Sequence, residues 1–441
     1  MKRRAAWHVP ERTDRAPGVR RAVAAVATLV ALAAGLGACG GPAPPPITVA
    51  GQVVLLAGVP AEGVTVGIGG QETITGVDGR FVLHGIVPPY DVILGQQDGD
   101  GWLHVVEGLT AADPLLGAPW AVPTQWFEAG VSATLGGGPI GPGHSGLACV
   151  EGIDAPAFSL FAGVVNEGAD AFGLPVIVLG AGASAVRLHL LEMSRSPDGL
   201  PLAYHGYAVV EATLEEGAQT AIVVPPLDPV ASAVSSATLV PPGGGELVLA
   251  HVGVKLGPDI ELRLTWPLFG VQPATFTLPL PLLGPGFRLM GGAQVGGGTS
   301  VAWRVVDGPA LGTVGLPVPP QLLLPAEGAG GVTAATRFAA ATDAAGPVTF
   351  VWEPLGGGPR LALTTVRREV TMPDAGAAGL APPPGAAYRW WVEAQRPLDA
   401  AASTLFSPDV LGLWLFAPCA PGQIGDGEWT GSARREFTLA P

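Results

Sequence analysis

Short runs of apolar residues, several of them alternating with polar ones, recur along most of the chain and stop at glycine, proline or aspartate-glycine. Near the start, residues 48–56, 64–68, 72–75, 80–83 and 90–94 form such runs, and VPAEG, GG, VDGR and VPP separate them. Runs of four to nine residues bounded by turn formers predict β-strands. The pattern continues at 172–179, 186–193, 203–213, 221–224, 246–256, 260–266, 274–280 and 300–306. Residues 246–254 are almost continuously apolar, as in a strand buried between two sheets, although pattern alone leaves a helix open. Strands are also expected at 333–340, 348–353, 361–371 and 434–439, and Tyr388, Trp390, Val392 and Ala394 alternate onto one face. The fold class predicted is all-β, as serial β-sandwich domains.

Composition agrees with many short strands joined by tight turns. The 441 residues are 48% hydrophobic and 13% charged, with 66 Gly and 46 Pro. The apolar content argues against disorder, which depletes Val, Leu, Ile and aromatics. Net charge is −14, and it becomes −19 once residues 1–38 are set aside, since they hold seven basic and two acidic side chains. An acidic chain with scattered Arg has no electrostatic reason to bind nucleic acid.

Arg20 and Arg21 precede an uncharged stretch, 22–38, which is short for a bilayer span and has small residues at its end. That arrangement describes a cleaved secretory signal. Leu36, Gly37, Ala38 and Cys39 resemble the bacterial lipobox. The resemblance implies cleavage before Cys39, a diacylglyceryl thioether on its sulfur and a lasting membrane anchor. Gly40 in place of an Asp-type retention residue points to the outer membrane, with the membrane face left open. Residues 39–46 then serve as a Pro-rich tether.

The segment 47–110 resembles the carboxypeptidase regulatory-like (transthyretin-like) β-sandwich. Gly51–Val53, the stretch from Pro60 to Val66, Thr75–Phe81 with its Asp78-Gly79 turn, and Gly85–Tyr90 carry the likeness. That family is a structural module and brings no catalytic residues. Residues 111–316 are expected to hold at least one more sandwich, a divergent second copy of the module being one reading. Residues 317–441 resemble a fibronectin type III domain. The resemblance makes Tyr388 a corner tyrosine whose hydroxyl returns to nearby backbone, but 397–431 is longer than that family's usual return.

Candidate chemistry is sparse. QQDGDGWLHVVE (96–107) aligns with a calcium loop, placing Asp98, Asp100, Gly101 and Glu107 at the third, fifth, sixth and twelfth positions. Gln96 stands where the first carboxylate belongs, which favours a plain hairpin of 90–96 and 102–107. Calcium is the one cofactor the sequence raises. GHSGL (143–147) lacks the second Gly of a nucleophile elbow. The seven His are scattered singly, with His84 and His104 as neighbours in the first sandwich. Cys149 and Cys419 either pair in an oxidising compartment or act as small buried hydrophobes. Trp391, Trp414 and Trp429 either stack on a sugar or peptide ligand or belong to a core and its rim.

The expectation is a non-catalytic, lipid-anchored cell-envelope or cell-surface protein with a structural, adhesive or binding role. Its partners would be the membrane, through Cys39, and a protein or polysaccharide. An accessory subunit of an envelope complex is the alternative, ahead of a carbohydrate-binding or hydrolytic surface protein.

Overall fold

The computed structural model describes residues 44–55, 60–96, 101–118, 120–121, 126–155, 157–159, 163–180, 182–197, 199–256, 260–264, 273–396, 419–421 and 426–441. These residues form strands and turns, with a single 3-10 turn at Gly376–Ala378. The lipobox and the tether's first residues fall outside them.

The first sandwich contains β1 (Ile47–Val54), β2 (Thr65–Ile68), β3 (Gln71–Ile74), β4 (Arg80–Ile86), β5 (Tyr90–Gln96), β6 (Trp102–Leu109) and β7 (Leu115–Gly117). It therefore extends past residue 110. In β1, Val49, Gly51 and Val53 face inward, and the period of two buries them against Phe81 and Leu83. The aspartate-glycine turn before β4 needs its glycine: Gly79 has φ 69°, and a Cβ there would lie 2.3 Å from the Val53 carbonyl.

The middle region folds into two sandwiches. One contains β8 (Phe127–Leu135), β9 (His144–Gly152), β10 (Ala157–Ser159), β11 (Gly163–Val165), β12 (Ala171–Val178), β13 (Ala183–Arg195), β14 (Pro201–Glu215) and β15 (Gln219–Val224). The next contains β16 (Ser232–Val240), β17 (Glu246–Lys255), β18 (Ile260–Arg263), β19 (Ala274–Pro281), β20 (Gly286–Val295), β21 (Gly298–Val306) and β22 (Gly312–Gly315).

These three sandwiches repeat one topology. In each, the first strand (β1, β8, β16) lies between an antiparallel partner (β4, β12, β19) and the last strand (β7, β15, β22), which runs parallel to it. The facing sheets run β3-β2-β5-β6, β11-β9-β13-β14 and β18-β17-β20-β21. The middle region thus carries the strand order of the first sandwich twice. β10 is the one addition, on the outer edge of β12.

The last sandwich contains β23 (Gln321–Leu324), β24 (Ala329–Val332), β25 (Phe338–Ala341), β26 (Val348–Pro354), β27 (Arg360–Thr365), β28 (Glu369–Val370), β29 (Ala387–Arg396), β31 (Gly427–Gly431) and β32 (Arg435–Leu439), while the intervening β30 (Cys419–Pro421) lies on the outer edge of β18 in the third sandwich. β23-β25-β28 faces β27-β26-β29, with β32 on the near half of β29 and β24 parallel to β32. Its core centres on Phe338, whose ring meets Trp352 at 5.3 Å and Trp390 at 5.1 Å, both edge-on. Tyr388, Trp390, Val392 and Ala394 all enter this core, as their alternation requires.

The sandwiches are serial in sequence but joined side by side. β6 pairs in parallel with β27, and β21 pairs antiparallel with β31, which also pairs with the far half of β29. One sheet of 15 strands thereby runs through the first, last and third sandwiches. The second sandwich joins the third by packing: Leu147, Cys149, Leu191, Met193 and Tyr204 enter the third core. No helix among the described residues is long and apolar enough to cross a membrane.

Candidate functional site

A group of ionisable side chains lies on the β9-β13-β14 surface of the second sandwich. Residues 187, 189 and 191 of β13 point away from that sandwich's core, and so do their cross-strand partners in β9 and β14. Arg187 therefore stands between Glu151 and Glu211, at 3.6 and 3.0 Å. His189 comes next, with Nδ1 2.7 Å from the Tyr207 hydroxyl and Nε2 3.1 Å from Glu151. The hydrogen bond from His189 holds the Glu151 carboxyl below the usual range. Burial pushes the Tyr207 phenol up to about 12. A phenol that keeps its proton is a hydrogen-bonding post rather than a nucleophile.

At the other end of β13 a β-bulge reshapes the surface. Glu192 pairs with Gly206 and Met193 with Tyr204, so His205 is the extra residue. Bulges re-aim side chains, and here the His205 ring lies flat on His144, with centroids 3.5 Å apart and planes 8° from parallel. Glu192 accepts hydrogen bonds from His144 Nδ1 at 2.8 Å and from the Gly141 amide at 2.9 Å. Burial, and then the charge of His144, lowers the His205 pKa. Stacked rings do not converge their nitrogens on one point. Among the described residues, no group of three or more His, Cys, Asp or Glu is arranged to hold a metal ion. The His205-Gly206 pair within a strand-like run is the sequence sign of this bulge.

Two further polar groups are buried in the fused sheet. His104 on β6 lies 2.9 Å from the Thr364 hydroxyl of β27, and Thr364 is 2.8 Å from Thr349. Burial lowers the His104 pKa to about 4, so the ring is neutral. In the third sandwich, Glu261 lies 2.9 Å from Arg288 and 3.6 Å from Arg263, all nearly sealed from solvent. Gly253 lies between the two arginine-bearing strands, and a Cβ there would come within 2.2 Å of the Glu261 carboxylate.

The residues singled out from the sequence are placed apart. Glu107 sits in β6 and is bound by both Nε and Nη2 of Arg367, an arginine just beyond β27. Its carboxylate is committed to the seam between sandwiches, while Asp98 and Asp100 lie outside the described residues. Trp102–Leu109 and Tyr90–Gln96 pair as the expected hairpin. Ser145 is part of β9, opposite Met193, and no strand-to-helix turn presents it. His84 and His104 occupy opposite sheets and are not neighbours: His84 is exposed and meets Thr48 at 3.0 Å.

The indole expectation needs correction. Trp391 is 2% exposed under Arg434, and Trp429 is 0% exposed, packed with Met290, Val301 and Trp303 between the third and last sandwiches. Neither offers a ring face to a ligand: Trp391 lies on β29 beneath Arg434, and β31, which carries Trp429, is paired on both edges with β29 and β21 instead of lying in an open loop. Trp414 is outside the described residues. Cys149 is disulfide-bonded. β30, which begins at Cys419, pairs with β18 and packs on β9, the strand of Cys149; the Cys419 side chain is outside the described residues. The Tyr388 hydroxyl does return to backbone, but to Pro359 at 3.1 Å, at the start of β27 and 29 residues away, rather than to its own corner.

No protein-family model matches the chain, and no curated protein matches it. Among solved structures, the TIE protein of Bacillus anthracis is 10% identical with a TM-score of 0.16 over 62% of this chain. The match spans 50% of that protein's length. BcpA, the major pilin subunit of Bacillus cereus, is 7% identical with a TM-score of 0.14, over 62% of this chain and 99% of its own. The Bacteroides ovatus protein SGBP-B, from a mixed-linkage glucan utilization locus and solved with a heptasaccharide, is 11% identical with a TM-score of 0.11. That match covers 90% of this chain and 97% of the other. Scores of this size carry no weight for fold or function.

Proposed function

We propose that this chain is a non-catalytic, lipid-anchored protein of the bacterial cell envelope whose role is structural or binding. The observation that carries the reading is the lateral fusion of the sandwiches, in which the last closes onto both the first and the third through strand pairs. Such a body holds its outer surfaces in fixed relation to one another, which suits presentation of binding surfaces. The His, Tyr and Glu groups of the second sandwich fit this role as posts that hold strands together. The anchor is the lipid on Cys39, supported by Leu36, Gly37 and Ala38 before it, and the outer membrane is its place.

Two measurements test the proposal. Metabolic labelling with a palmitate analogue is expected to mark the wild-type chain and to leave Cys39→Ser unlabelled; an unlabelled wild type refutes the anchor. Protease shaving of intact cells, read with an antibody to the last sandwich, then assigns the membrane face, with a periplasmic protein as integrity control. Recovery of the chain from the cytosolic fraction overturns the envelope reading altogether.

A further inference from the structure

The three-fold repeat makes equivalent edges comparable. In every copy the strand at one edge of the four-stranded sheet is β6, β14 or β21. β6 receives β27 along 102–106, and β21 receives β31 along 299–303, five residues in each case. β14, the longest strand at 15 residues, pairs only with β13 among the described strands.

The free part of that edge can be read from its hydrogen bonds. Tyr207 exchanges both main-chain bonds with Asp228 at 2.9 Å, so Tyr207 directs its amide and carbonyl away from β13. The alternation of an antiparallel ladder then turns Val209, Glu211 and Thr213 outward as well. Among the described residues, the Thr213 carbonyl alone has a companion there, the Thr220 hydroxyl at 3.3 Å. Residues 209–213 thus offer the same five-residue length that the other two edges use. Val209 is 43% exposed and the Glu211 side chain 66%. A free edge of this kind is a template for one more strand.

We infer that the β14 edge at 209–213 is a strand-addition site for an extended segment of another protein that carries a basic residue opposite Glu211. The first seam supplies the chemistry. There the edge strand β6 carries a carboxylate, Glu107, and the residues just beyond the added strand bring Arg367 to it. Glu211 is the exposed carboxylate of β14: its Oε1 already accepts from Arg187 Nε at 3.0 Å, and the side chain stays 66% open to a second basic group. The strands that fill the other two edges are already placed within this chain. A second copy would bring carboxylate to carboxylate on a chain that is −14 overall. The inference rests on the binding role proposed above but not on the lipid anchor, so it stands or falls in solution, independently of labelling and shaving on cells.

The probe is a synthetic peptide with the sequence of residues 360–368, RLALTTVRR, which includes the strand docked on β6. Amide exchange of the full chain is followed by mass spectrometry with and without it. The expected result is exchange at 209–213 slowed about tenfold or more by saturating peptide. Glu211→Pro is expected to abolish that protection while leaving β13 protected, because its lost amide faces away from β13. Glu211→Lys, which keeps the amide, is expected to weaken binding about tenfold. Peptide that leaves 209–213 unchanged, or protects only 102–106, overturns the site. Equal binding to Glu211→Pro overturns it too, and so does protection of 209–213 in the free chain that rises with protein concentration, which would assign the edge to a second copy.

Discussion

His104 shows how much a single ring can set at this seam. It is buried between β6 and β27, and burial lowers its pKa from the ordinary 6.5 to about 4. The fold therefore favours the neutral ring. Its contribution is fully present above pH 6.5 and is lost as the pH falls from 6.5 toward 4, amounting to about 3 kcal/mol. Urea unfolding midpoints measured across that window should fall steeply, and His104→Gln should flatten the slope. Gly253 is a second sensitive position: with Glu261 1% exposed over it, Gly253→Ala forces a buried carboxylate off its arginines. We expect a loss of about 3 kcal/mol in chemical denaturation. Phe338→Ala removes the ring at the centre of the last core and is expected to cost about 3–5 kcal/mol, against about 1 kcal/mol for Tyr388→Phe, which gives up the hydroxyl's bond to Pro359.

Elements with a clean period of two were legible in the sequence, and those interrupted by glycine were not. Strands β1 to β6, β26, β29 and β32 follow from alternation and turn formers, whereas β7 lies beyond the expected end of the first sandwich. β20 (GFRLMGGAQV) does not, because two adjacent glycines read as a break. Gly291 is there for close approach: a Cβ would meet Leu239 of the opposite sheet at 2.9 Å. β8 was missed for another reason, since its inward positions include Ala129 and Ala133, whose small side chains give weak contrast. The stretch 361–371 divides into β27 and β28 where Arg367 turns to Glu107, a partner 260 residues away that no local pattern shows. The candidate site followed the same rule. Its residues, among them Glu151, His189 and Tyr207, are scattered in sequence and meet only through strand register. At this scale Cys149 also has a test: proteolytic mapping without reductant should recover it joined to Cys419, and reduction should lower stability by up to about 5 kcal/mol for so long a loop. Recovery of Cys419 as a free thiol would reject the pair.

For the whole molecule, the last sandwich serves as the fastener. It covers the β6 edge with β27 and the β21 edge with β31, and Trp429 fills the space against Met290 and Trp303. A chain ending at residue 396 keeps the first three sandwiches but loses β31, and so uncovers the β21 edge and an apolar patch. Such a chain is expected to self-associate at concentrations where the full chain is monomeric, measurable by sedimentation.

The parallel pair between β6 and β27 also orders events in time. A ribosome makes the first sandwich long before the segment that covers its edge. For that interval β6 is an open template, and the protein depends on whatever shields unfinished chains until some 250 further residues have followed. β27 thus doubles as a completion signal for β6: a product terminated before it keeps an open edge and remains recognisable as unfinished.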